Sequence, residues 1–148
     1  MCYVISSCLL GENCKYEGGN NFNNRAKEIF DKGGCISLCP EVLGGFGVPR
    51  TRIEIKDGSG EEVLCGKTYV VNEKGENVTV ECIRGAQRAL EIAREKGFKK
   101  AILKARSPSC GFKWIYDGSF SGGLRKGNGV FSQILYDNGF DIMTEEEL

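Results

Sequence analysis

Three cysteines of this chain fall where α/β proteins keep their chemistry. Cys8 follows a short apolar run, in Ser6-Ser7-Cys8-Leu9-Leu10-Gly11. Cys39 closes a second run, in Cys39-Pro40-Glu41. Cys110 comes just after a third, in Ser107-Pro108-Ser109-Cys110-Gly111. If the three runs are neighbouring parallel strands, all three thiols lie at the carboxyl edge of one sheet, where such folds bind ligands. A zinc site built there would want a fourth protein ligand or a catalytic water. A cubane iron–sulfur cluster is normally held by four thiolates; with three, one iron keeps an open position that acts as a Lewis acid. Three unrelated cysteines near loops are the competing reading, and spacing alone leaves it open.

The other five cysteines do not fit that pattern. Cys2 and Cys35 start their runs and so belong to the opposite edge. Cys35 is about 13 Å of extended chain from Cys39, so one strand cannot supply both to one small site. Cys82 falls on the inner face of a helical pattern and Cys65 in a β-prone excursion. Cys2, Cys35 and Cys82 read as small buried hydrophobes. Cys14 is in a loop near Cys8, and a functional role is the lesser of its two readings. Eight cysteines in a reducing compartment point to metal or reactive thiols rather than disulfides.

Composition removes several classes. The 148 residues contain no histidine, so there is no Ser-His-Asp triad, no Cys-His dyad and no histidine-bound zinc. A general acid or base must be Glu, Asp, Lys, Tyr, Ser or a bound water. Lysine plus arginine equal aspartate plus glutamate at 20 each, which argues against a chain held on long RNA by a broad positive field. The N-terminus lacks a basic stretch followed by a long apolar one, and no apolar run reaches ~18 residues; the reading is a cytoplasmic protein with no membrane span.

The elements that must position these residues follow from the apolar pattern. Cys2–Ser6, Cys35–Cys39 and Lys100–Ala105 read as buried strands, the second stopped by Pro40. Asn24–Lys32 reads as a short helix with Asn24 as its cap. Residues 52–56, 62–64 and 68–71 suggest a small β-hairpin excursion. Thr79–Lys96 is the longest helical pattern, with Cys82, Ile83, Ala86, Leu90 and Ala93 on one face. Gly111–Tyr116 is a further extended piece. Gly129–Asn138 is a helix with Val130, Ile134 and Leu135 inward, and Phe140–Met143 a last strand. Strands alternating with helices over one domain's length (1–148) predict a single Rossmann-like α/β domain: three layers around a mostly parallel sheet.

Four blocks carry a resemblance: SSCLLGENCKYEGG (6–19), CPEVLGGFGVPR (39–50), KARSPSCG (104–111) and IYDGSFSGGLRKGNGV (115–130). Together, and in this order, they resemble the thiouracil desulfidase family from end to end. Departures are mild: Lys15 and Glu17 stand where Arg and Asp are usual, and Thr51-Arg52-Ile53 replaces a more proline-rich stretch. The resemblance implies a [4Fe-4S] cluster held by Cys8, Cys39 and Cys110, and non-redox removal of sulfur from a thiolated pyrimidine. The partner is thus a small thionucleobase, free or within a nucleotide, and no oligomeric state is implied.

Glu41 matches the family's acidic residue and is expected to be the general acid/base; its structural alternative is a carboxylate that only caps the Cys-Pro-Glu turn. Ser107 matches the active-site serine and would hydrogen-bond substrate or water, against the alternative of a turn residue before Pro108. Arg50 and Lys104 are candidate substrate-binding residues. With Arg52, Arg50 would meet a phosphate if the substrate is a nucleotide. Trp114 and Phe112 are expected in the core. Two further readings stay in play: a metal-free enzyme with a cysteine persulfide, and a metal- or nucleotide-binding module without catalysis.

Overall fold

The structure is a computed structural model that describes residues 3–148; the expectation for Cys2 lies outside the described residues. In chain order the elements are β1 (Tyr3–Ser6), α1 (Asn24–Asp31), β2 (Ile36–Leu38), α2 (Pro40–Leu43), β3 (Ile53–Ile55), α3 (Gly60–Leu64), β4 (Val70–Asn72), α4 (Thr79–Glu95), β5 (Lys100–Leu103), β6 (Trp114–Tyr116), β7 (Leu124–Lys126), α5 (Val130–Asp137) and β8 (Asp141–Thr144). Short 3-10 turns follow β1 at Ser7–Leu10 and β8 at Glu145–Glu147.

The central sheet is parallel, in the order β2-β1-β5-β8, with Val4 opposite both Ile36 and Ala101. Its strands are mostly apolar, with polar residues such as Ser6, Lys100 and Asp141 at their ends, because both faces are covered. Val4, Ala101 and Leu103 pack with Ala86, Ala89 and Ala93 of α4 and Phe131 and Leu135 of α5. Ile5 and Ile102 point the other way, onto Leu9 and Ala26 of α1. These are the expected three layers. Two small antiparallel pairs, β3 with β4 and β6 with β7, flank the sheet.

Several local expectations change. Residues 62–64 are not β but lie in α3, which a capping box starts: the Ser59 N–H donates to Glu62 Oε1 at 3.1 Å. The cap of α1 is Asn23, not Asn24; its Oδ1 accepts from the Ala26 N–H at 3.0 Å. Pro40 stops β2 but also opens α2, where a missing N–H costs nothing at the first helical position. The strand β7 has no apolar signal and exists because β6 pairs with it. In that ribbon Ile115 is buried, and its neighbour Trp114, on the opposite face, is 48 % exposed rather than in the core.

One contact fixes α2 on the body of the protein. A Cβ on Gly85 of α4 would lie 1.9 Å from the Pro40 carbonyl oxygen, and one on Gly44 would lie 2.4 Å from the Glu81 oxygen. Two facing glycines thus let backbone pack on backbone. The turn that carries Cys39 and Glu41 is set by this approach.

Candidate active site

Cys8, Cys39 and Cys110 come from three different elements and line one cavity of about 370 Å³ at the carboxyl edge of the sheet. Cys8 is in the 3-10 turn after β1, Cys39 is the N-cap residue of α2, and Cys110 lies in the loop after β5. Cys35, at the start of β2, packs instead with the α1 side of the sheet, half-buried. Cys82 is buried in α4, and burial pushes its thiol up to about 12.

Cys14, assigned no role from sequence, also lines the cavity. Its thiol hydrogen-bonds the sulfurs of both Cys8 and Cys39, which holds its own proton firmly. That donated bond is the largest influence on both neighbours. It lowers Cys39 to about 7, helped by the Val42 N–H, and it lowers Cys8, helped by the Asn21 amide at 3.4 Å. Cys110 behaves oppositely: burial holds its thiol well above the ordinary value, only partly relieved by the Ser6 hydroxyl.

Glu41 faces this group across the cavity. Its Oε1 accepts from Arg50 Nε at 3.2 Å and Nη2 at 2.8 Å, and its Oε2 accepts from the Ser109 hydroxyl at 3.0 Å. Arg50 also donates to the Gly47 carbonyl, so its guanidinium is committed to the protein. Arg50, a candidate substrate-binding residue from sequence, lines the cavity and pairs there with Glu41, nine residues back.

Ser107 lines the cavity and caps the turn at once: its Oγ accepts from the Ser109 and Cys110 N–H groups at 3.1 and 3.0 Å. With both lone pairs engaged, its own proton is left for a partner. Lys104 also lines the cavity, with Nζ 3.0 Å from Glu145 Oε2. Glu145 Oε1 accepts from the Ala105 N–H, which ties the C-terminal turn to the loop bearing Ser107 and Cys110. Arg52 pairs with Glu73 and lies over the Tyr16 and Phe120 rings.

The profile of 2-thiouracil desulfurase matches residues 3–147. This chain belongs to the 2-thiouracil desulfurase family. It is 40 % identical over 145 residues to YbbK of Bacillus subtilis (strain 168), a protein described as uncharacterized; the match covers 98 % of this chain and 96 % of YbbK. Among solved structures it is similar to TudS, a [4Fe-4S]-dependent thiouracil desulfidase. Identity is 35 %, coverage is 99 % of this chain and 91 % of that one, and the TM-score is 0.85.

Set against this 2-thiouracil desulfurase membership, the thiols have a telling arrangement. Among the described residues no three Cys, Asp, Glu or His side chains gather tightly enough for a single metal ion. One ion needs its thiolates about 2.3 Å from a common centre. A cubane takes each thiolate on a separate iron, so its ligands stand apart around a larger body. Three thiols on three elements around a shared cavity are a donor set of the second kind. Sequence missed Cys14 and Ser109. The signal for Ser109 was adjacency to Cys110; for Cys14 it was the Cys-x5-Cys spacing from Cys8 within one loop.

Proposed function

We propose that this protein is a [4Fe-4S]-dependent desulfidase that hydrolyses the C=S bond of a thiopyrimidine such as thiouracil, giving the oxo base and hydrogen sulfide. The observation that carries the reading is the meeting of Cys8, Cys39, Cys110, Glu41 and Ser107 in one cavity of a chain 35 % identical to TudS. Cys8, Cys39 and Cys110 would hold the cluster. Soft thiolates suit iron–sulfur centres, and the buried Cys110 thiol is of a kind that ionises when it meets a metal. Bound there, the cluster supplies a Lewis acid for the thiocarbonyl sulfur.

The protein's own part is proton handling and orientation. Water adds to the ring carbon, the C–S bond breaks, and no oxidant or reductant is required. Among the described residues, Glu41 is the one cavity-lining carboxylate whose two oxygens both accept hydrogen bonds from the fold. Arg50 occupies Oε1, and Ser109 takes one of the two acceptor positions of Oε2. The remaining position of Oε2 can accept the proton of the attacking water and return it to the departing sulfur. The Ser107 hydroxyl, fixed by two N–H groups, donates to substrate or water.

The four cationic side chains around the cavity favour an uncharged substrate. Lys15, Arg50, Arg52 and Lys104 pair with Glu17, Glu41, Glu73 and Glu145 at 2.8–3.1 Å. A phosphate would compete with these carboxylates for the same cations. Free thiols suit a reducing compartment, which supports a cytoplasmic reaction.

The test is anaerobic reconstitution, iron and sulfide analysis, and an ultraviolet assay of 2-thiouracil loss. About four iron and four sulfide per chain with coupled turnover are expected. Turnover that survives complete removal of iron would instead favour a cysteine persulfide enzyme.

A further inference from the structure

We propose that Cys14 is a displaceable fourth thiolate: in the resting protein it ligates the iron that Cys8, Cys39 and Cys110 leave open, and it withdraws when the substrate's sulfur arrives. The inference rests on the reading that the protein carries the cluster. It concerns a residue to which the proposed chemistry gives no part.

Four observations support it. Cys14 is the one remaining cysteine among the described residues that lines the cavity; Cys35, Cys65 and Cys82 are elsewhere. Its single S–H is within reach of two of the three proposed ligand sulfurs in the cavity that all four thiols line, so it already stands beside the donor group. It is half-buried, open enough on one side to move. Finally, it rides on irregular chain, whereas Cys8 and Cys39 are fixed by a 3-10 turn and a helix start.

That last point makes displacement cheap. The segment is pinned at both sides of Cys14, by Asn21 N–H to the Cys8 carbonyl at 2.9 Å and by Arg50 N–H to the Tyr16 carbonyl. Cys14 itself is held by one backbone bond, to the Glu12 carbonyl at 2.9 Å. Its side chain can swing without breaking a helix or a strand. Cys8 and Cys39 sit in a 3-10 turn and at a helix start, and Cys110 is buried, so each has less room to move.

Four thiolates complete a cubane's usual ligand set and shield it from solvent. The exchange balances without redox change. The iron–Cys14 sulfur bond breaks, the thiolate leaves with its electron pair and takes one proton from solvent, and an iron–thiocarbonyl sulfur bond forms. When hydrogen sulfide leaves, Cys14 gives the proton back and rebinds.

Two measurements on anaerobically reconstituted protein test this. In the first, ferricyanide strips the most labile iron, and the [3Fe-4S] product is followed by electron paramagnetic resonance. Cys14→Ala should lose that iron about 10-fold faster than wild type or more, the scale on which a lost metal contact is felt. Equal rates overturn the proposal. The second needs no variant: iodoacetamide footprinting with peptide mass spectrometry on wild-type apoprotein, holoprotein, and holoprotein with saturating 2-thiouracil. Cys14 should be modified only slowly in the first, where the Cys8 and Cys39 sulfurs hold its proton, protected in the second and modified fastest in the third, while Cys8, Cys39 and Cys110 stay protected whenever the cluster is bound. Modification of Cys14 in the substrate-free holoprotein at the rate seen with substrate overturns the proposal, as does protection that substrate does not relieve. If wild type takes up no cluster, the functional reading falls and this inference with it. A loaded, active wild type with the wrong Cys14 pattern overturns only the inference.

Discussion

Gly85→Ala adds one methyl group, at the place where α4 meets the turn that carries Cys39 and Glu41. The new Cβ would lie 1.9 Å from the Pro40 oxygen and 2.8 Å from the Gly44 Cα, both backbone atoms that no rotamer change can clear. Ordinary contact begins near 3.4 Å, so α2 must move by roughly 1.5 Å. Overpacking of this kind costs about 1–3 kcal/mol, and the crowding of backbone on backbone puts it at the upper end. Alanine's better helix propensity returns about 1 kcal/mol. The net loss is therefore about 1–2 kcal/mol, a fall of roughly 3–8 °C in Tm for a chain of this length. The activity loss should be larger in proportion. Glu41 moves with α2, and a 1 Å error in a catalytic group can cost about 10²-fold. The assay is Tm by calorimetry and kcat/KM for 2-thiouracil, corrected for iron content, on the same preparation. A Gly85→Ala protein with wild-type Tm and wild-type turnover would refute the claim that this glycine contact sets the site.

The remaining outcomes separate the roles of individual groups. Glu41→Gln should retain the cluster and lose about 10²–10⁴ in turnover if Glu41 moves the proton, read by iron analysis beside the thiouracil assay. Ser107→Ala should lower both stability, by about 1–3 kcal/mol, and turnover, because its Oγ caps two N–H groups and the residue lines the cavity; a fall in Tm with unchanged turnover per cluster would leave it a turn residue only. In apoprotein, Cys39 should react with iodoacetamide with a midpoint near pH 7, reacting faster as pH rises through that value because the thiolate is the nucleophile, while Cys82 stays unreactive below about pH 12. In the same experiment Cys14→Ala should move the Cys39 midpoint upward, since the donated Cys14 hydrogen bond is the main cause of its low value.

The gathering of Cys8, Cys39 and Cys110 was legible before any fold was known. Each follows a run of consecutive apolar residues, such runs mean strands covered on both faces, and parallel strands end at a common edge. The same logic placed Cys35 away from the site and Ala86 and Ala93 in the core. Glu41 was legible because two residues of chain cannot carry it far from Cys39. What failed was local and short. The capping box of Ser59 and Glu62 made a helix of Gly60–Leu64, a segment too short to show a helical repeat. The strand β7 offers only Leu124, Arg125 and Lys126, and its pairing comes from β6 rather than from its own sequence.

Sequence by itself therefore determined the donor types, their delivery to one edge of a parallel sheet, and the absence of any histidine from the chemistry. These follow from residue identity and from periodicities that span only a few neighbours. Tertiary structure alone decided which groups meet across the cavity. It turned Arg50 onto Glu41, set Ser109 behind that carboxylate, tied Glu145 to Lys104 and brought Cys14 between Cys8 and Cys39. Such meetings depend on how loops without a repeating pattern cross space. They are fixed by long-range packing, such as backbone against backbone at Gly44 and Gly85, which no local window of residues encodes.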